Sequence, residues 1–97
     1  MTVNANTWLY VVIQKVGRED QIVGQTDAES KIAFIPAFYN KETAQQAMLH
    51  LHLERKHKYE LQAMIYEDLA RHAIDGGFVI FVLDEDGKVL ERLPDVA

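Results

Sequence analysis

Three histidines and a carboxylate crowd one short stretch of the chain: His50, His52, Glu54 and His57. Imidazole nitrogens and carboxylate oxygens are ordinary zinc ligands. On a continuous helix His50, Glu54 and His57 follow i, i+4 and i, i+3 spacing, so the three share a face and present two imidazoles and a carboxylate to a divalent metal. Zinc also wants tetrahedral closure and outer partners that orient each ring. His50 flanks an apolar stripe instead of lining a cavity, and the helix is expected to end before His57. The expectation is therefore solvated side chains, with adventitious metal at His50, Glu54 and His57. His52 falls on another face and is expected to be exposed.

The remaining chemistry-bearing residues read as structural. His72 needs an orienting carboxylate to act as a base, with Glu67, Asp68 and Asp75 nearby. A cation-capable residue near the end of a short helix is a common structural choice. Ser30 is the only serine and sits in no Gly-x-Ser-x-Gly elbow. Gly76-Gly77 leads into a strand, the reverse of the order that cradles a phosphate, and reads as a helix stop. Asp84-Glu85-Asp86-Gly87 fails as a calcium loop in either register. One places Val82 and Leu93 at ligand positions, and the other places Val89 where glycine is required. It reads as a turn. No cysteine is present, which removes thiol catalysis, disulfides and the usual zinc frameworks. No catalytic residue and no cofactor are assigned, and an enzyme is not expected.

The formal charge of −5 opposes a phosphate backbone. The one basic cluster, Arg55-Lys56-His57-Lys58, suits a helix C-terminus, so no nucleic-acid partner is expected. The apolar run at 8–13 falls far short of the roughly 20 residues that span a bilayer. The first six residues are polar and lack a basic leader region. No membrane partner is expected, and the cytoplasm is the expected compartment.

With 48% apolar and 26% charged residues in 97, the chain has the composition of one ordinary folded domain. Residues 1–6 are expected to be a mobile terminus and 7–94 a single domain. Segments 8–13 and 78–83 are apolar without alternation, as in strands covered on both faces. Segment 21–25 is a weaker strand that makes a hairpin with the first. Segment 32–38 is a third strand, and Pro36, lacking an amide donor, is expected at an edge or near a strand end.

Asn40 is a good N-cap for a helix carrying Ala44, Ala47, Met48 and Leu51 on one stripe, fraying near Lys56. Segment 59–65 alternates, with Tyr59, Leu61, Ala63 and Ile65 on one side and Glu60, Gln62 and Met64 on the other. A short helix over 67–74 and a final hairpin strand over 88–93, closed by Pro94, complete the order β-β-β-α-β-α-β-β. The expected fold is α+β: a single mixed or mostly antiparallel sheet of five to six strands, with two helices on one face. The opposite face, or a free edge strand, is where a partner would dock.

The phrase Ile35-Pro36-Ala37-Phe38-Tyr39-Asn40-Lys41-Glu42-Thr43-Ala44 resembles the SseB-type N-terminal domain. So do the later Tyr59 strand, the helix at Glu67-Asp68-Leu69-Ala70, the Gly76-Gly77 stop and the glycine hairpin. The resemblance covers the element order over about residues 8–93. It implies a small α+β domain, linked in that family to secretion or of unknown role, and it supplies no catalytic residues. The reading is of a non-enzymatic module for protein–protein interaction or self-association, including a homodimer. Tyr39, Gln62, Met64 and Tyr66 are the candidate partner-binding residues. The alternatives are a small-ligand sensor and a His-assisted or metal-dependent enzyme.

Overall fold

A computed structural model describes residues 3–93. Met1, Thr2 and Pro94 lie outside them. The order is β1 (Trp8–Val16), β2 (Glu19–Ile22), β3 (Gln25–Thr26), β4 (Ala33–Phe38), α1 (Lys41–Ala47), a 3-10 turn (Met48–His50), β5 (Lys58–Ile65), α2 (Tyr66–Gly76), β6 (Val79–Leu83) and β7 (Val89–Leu93). The expected α+β class and single mixed sheet are present. The sheet has seven strands, because the expected second strand breaks at Val23 and Gly24 into β2 and β3.

β1 pairs from Trp8 to Lys15 with β5 on one side. On the other side it pairs with β4 through only Tyr10↔Phe38 and Val11↔Ala37, and then with β2. β3 pairs with the start of β4. β1 and β4 therefore fork, and β2 and β3 fill the fork. β4 lies parallel to β6, which pairs with β7.

The fork accounts for Pro36, which is buried inside a central strand and not at an edge. Even-numbered residues of β4 turn their peptide groups toward β1 and β3, as the Phe38–Tyr10 pairing and the bond from Asp27 N–H to the Ile32 carbonyl indicate. Pro36 falls between the β3 contact at Phe34 and the β1 contact at Phe38. Its missing donor faces the gap where neither strand pairs.

The helices cover opposite faces of the sheet, not one face. Leu69 and Ala73 of α2 are buried with Leu9, Val11, Ile13, Ile35, Ala37, Ile80 and Val82. Ala44 and Ala47 of α1 are buried with Val12, Phe38, Phe81 and Leu83. The two sets alternate along β1, β4 and β6, as side chains of a strand must. That two-sided burial is why 8–13 and 78–83 show no polar alternation.

The first helix starts as expected: the Asn40 side chain accepts from the Thr43 amide at 2.8 Å. It ends earlier than expected, at Ala47, and after the 3-10 turn Leu51 is extended (φ −91, ψ 153). A distant clamp fixes the departing chain. The Gln25 amide donates to the His52 carbonyl at 3.0 Å and accepts from the His52 N–H at 3.1 Å.

α2 has no side-chain N-cap. Its first amides are met by backbone: Tyr66 N–H donates to the Thr7 carbonyl (2.7 Å) and Glu67 N–H to the Ala5 carbonyl (3.1 Å). A turn at Asn4–Thr7 holds those carbonyls in place, with the Asn4 amide donating to Thr7 Oγ1 and the Asn6 amide to Asn4 Oδ1. Gly77, at φ 75, closes the helix in the left-handed conformation.

Beyond that cap, the Phe78 ring is wedged between two glycines. A Cβ on Gly24 would stand 2.6 Å from one edge of the ring, and a Cβ on Gly76 2.8 Å from the opposite edge. The ring cannot retreat from one without meeting the other. Gly24→Ala is expected to cost about 1–3 kcal/mol through overpacking. In a urea-unfolding cycle with Phe78→Leu, the double variant should lose less than the sum of the singles. Strict additivity would show that the ring is not confined in this way.

Candidate docking edge

The two outer strands of the sheet differ in kind. β7 is five residues long, its register with β6 shifts between Val82 and Leu83, and it carries Glu91 and Arg92. A bulge, short length and charge are how natural edges discourage pairing. β5 runs for eight residues in unbroken register with β1.

The hydrogen-bonding sense of β5 follows from its neighbour. Val23 N–H donates to the Val12 carbonyl at 2.9 Å, on the side of β1 away from β5. Both backbone groups of a strand residue point the same way, and successive residues alternate. Even-numbered residues of β1 thus bond away from β5 and odd-numbered ones toward it. The odd residues Leu9, Val11, Ile13 and Lys15 stand opposite Met64, Gln62, Glu60 and Lys58. Those four residues of β5 direct their peptides inward. Tyr59, Leu61, Ala63 and Ile65 direct theirs outward; the Ile65 carbonyl, at the N-cap of α2, opens the hydrogen bonding of that helix, and among the described residues no backbone hydrogen bond reaches Tyr59, Leu61 or Ala63.

The side chains of the outward four lie half-buried on the α1 face. Trp8, paired with Ile65, extends this row inward and is 60% exposed. On the other face Lys58, Glu60 and Gln62 are exposed. Lys15 reaches both Asp20 (3.3 Å) and Glu60 (3.5 Å). The hydrogen bond to Asp20 and the charges of both acids hold its ammonium pKa above the ordinary value.

Of the expected partner-binding residues, Tyr39, Met64 and Tyr66 are half-buried against the α2-side core, and Gln62 is exposed on the same face of β5. Met64 stands opposite Leu9. The Tyr39 hydroxyl donates to Glu91. Burial first, then that bond and the carboxylate charge, raises the Tyr39 phenol above its ordinary 10.0, and burial alone raises Tyr66.

A phenol whose pKa is raised by folding contributes stability that is whole below its unfolded pKa, near 10, and is lost as pH rises beyond it. The urea midpoint should fall above about pH 10, and Tyr39→Phe should flatten that fall. A slope unchanged by Tyr39→Phe would show that Tyr39 does not set it.

The imidazoles scatter. With no helix beyond the 3-10 turn, the face expected to unite His50, Glu54 and His57 does not form. Glu54 and His57 meet at 3.2 Å. His50 lies instead beside the β6–β7 turn, where a Cβ on Gly87 would stand 3.3 Å from its own Cβ. His50 and His52 line one shallow cleft with Asp27, Phe34 and Leu83. Among the described residues no group of three or more His, Cys, Asp or Glu is arranged to hold a metal ion. His72 is exposed on α2, and the neighbouring Glu67 and Asp68 each approach Arg71 at 4.0 Å.

Other polar groups serve the loops. Ser30 donates its hydroxyl (2.6 Å) and its amide (3.0 Å) to Asp27, which lowers the Asp27 carboxyl pKa, the hydroxyl bond contributing most. Asp84 accepts from the Asp86 and Lys88 amides, each at 2.9 Å. The Tyr59 hydroxyl accepts from the Glu54 amide at 2.7 Å.

The outward peptides of β5 were not singled out in the sequence. The alternation there gives the face of each side chain, but not which flank of the strand lacks a neighbour. No helix of the described residues is long and apolar enough to cross a membrane. No family model, no curated protein and no solved structure matches the chain.

Proposed function

We propose that the chain is a cytoplasmic, non-enzymatic module that works by docking another polypeptide along the open edge of β5. The carrying observation is the row of unpartnered peptide groups at Tyr59, Leu61 and Ala63. An added strand gains main-chain hydrogen bonds there, and its alternate side chains meet the half-buried apolar row. Further support comes from the polar side chains, which are spent on loops and clamps: Gln25 on His52, Ser30 on Asp27, Asp84 on its own turn. The resemblance of the expected element order to the SseB-type domain belongs to the same reading and brings no residues to the edge.

The test compares the chain with Ala63→Pro. Proline there removes an outward donor and leaves the inward bonds to β1 in place. Each protein is immobilised and exposed to extract of its source cells. Polypeptides retained by the parent and lost on Ala63→Pro are expected. An identical bound set for both proteins overturns docking at this edge.

A further inference from the structure

We infer that the strand completing the edge is β5 of a second copy, antiparallel about a two-fold axis through Gln62. The inference rests on the edge reading above and names its occupant. Only odd-numbered residues carry outward peptides, so an antiparallel partner copy must set odd residues opposite odd ones. With Gln62 on the axis, Tyr59 faces Ile65 of the second copy and Leu61 faces its Ala63, so the free groups of Leu61 and Ala63 pair with each other and the Ile65 N–H meets the Tyr59 carbonyl. An axis at Leu61 leaves the Ile65 N–H without a partner, and one at Glu60 leaves Ala63 without one as well.

Side chains select the same register. On the α1 face it sets apolar against apolar: Tyr59 on Ile65, Leu61 on Ala63. On the other face Glu60 lies opposite Met64, and the two Gln62 amides meet on the axis, where each can donate to the other. With Leu61 on the axis the two Glu60 carboxylates become diagonal neighbours; with Glu60 on the axis they stand directly opposed. Like charges so placed are destabilising. The edge is thus complementary to itself in one register, and pairing there makes one sheet continuous through both copies.

Two measurements test this. Light scattering on the intact chain, from micromolar to millimolar concentration, is expected to show a species of twice the 11.1 kDa chain mass. Ala63→Pro removes one bond in each copy and should weaken association about tenfold. Because the chain has no cysteine, Gln62→Cys introduces a single thiol. On the axis the two Cα atoms stand at a non-hydrogen-bonded pair, ~4.5 Å apart, within disulfide range. With Leu61 on the axis they would be diagonal, roughly 7–8 Å apart and outside it.

Rapid oxidation of Gln62→Cys to a covalent dimer, matched by an equal mixture of Gln62→Glu and Gln62→Lys that dimerises better than either alone, supports the proposal. A chain that stays monomeric at millimolar concentration overturns self-pairing and leaves the edge open to a foreign strand. A dimer indifferent to Ala63→Pro is held elsewhere and likewise overturns self-pairing at this edge. Each copy carries a charge of −5, so added salt should tighten the dimer by screening repulsion. Dissociation on adding salt would indicate an ion-paired contact elsewhere and overturn the assignment.

Discussion

Phe38→Ala is expected to remove about 3–5 kcal/mol of folding free energy, the usual cost of emptying a buried aromatic site. A domain of this size holds roughly 5–15 kcal/mol in total, so the variant should stand near the edge of folding at room temperature. Phe38 is 0% exposed and packs with Val12, Ala44, Ala47, Phe81 and Leu83. The two alanines from α1 end at Cβ and cannot reach into the void. Nor can the helix settle inward freely, because the Asn40 cap ties its first turn to the residue following Tyr39. A persistent cavity, not a relaxed one, is the expected state, and the upper end of the range applies. Urea unfolding of both proteins measures the loss. A difference below about 1 kcal/mol would mean that the site collapses or that the ring is not buried.

Leu69→Ala, on the opposite face, is expected to cost about 2–5 kcal/mol, with a second symptom. Leu69 is the one large side chain that α2 buries completely; its other fully enclosed contribution is Ala73. Without Leu69 the helix keeps little apolar grip. What remains is Ala73, the half-buried Tyr66 and the two carbonyls of Ala5 and Thr7 that hold its first turn. Hydrogen exchange should therefore accelerate through α2 more than through β1 and β4, as expected of a unit that opens on its own. Exchange that accelerates evenly throughout the chain would show α2 and the sheet opening together, and the local account would be wrong.

What local pattern reveals is visible in β1 and β6. Their unalternating apolar runs place them in the interior of the sheet, where β1 has β5 on one side and β2 and β4 on the other. The Asn40 cap and the Gly77 stop were equally readable, since each depends on residues within one turn. Three features depend on distant partners and were not. The first helix stops short because Gln25 holds the backbone of His52 from across the molecule. Pro36 occupies an inner strand because two neighbours separate at that point. The helices take opposite faces because α2 follows β5, at one margin of the sheet, and crosses to β6 on the far side of β4, a path that hydrophobic periodicity does not encode. The docking edge belongs with these. Residues 59–65 disclose their two faces plainly, but a vacant flank is a property of strand order alone.

The narrow join between β1 and β4 has a consequence for cooperativity. Two residue pairs, Tyr10↔Phe38 and Val11↔Ala37, are the whole β1–β4 ladder, with the β2–β3 segment bridging the rest of the fork. The sheet is thus a pair of ribbons, one built on β1 and β5 and the other on β4, β6 and β7. What couples the ribbons is chiefly the side chains above and below the join, which belong to both at once. Enlarging or emptying those side chains alters more than the height of the unfolding barrier: it sets whether the molecule has one thermal transition or two.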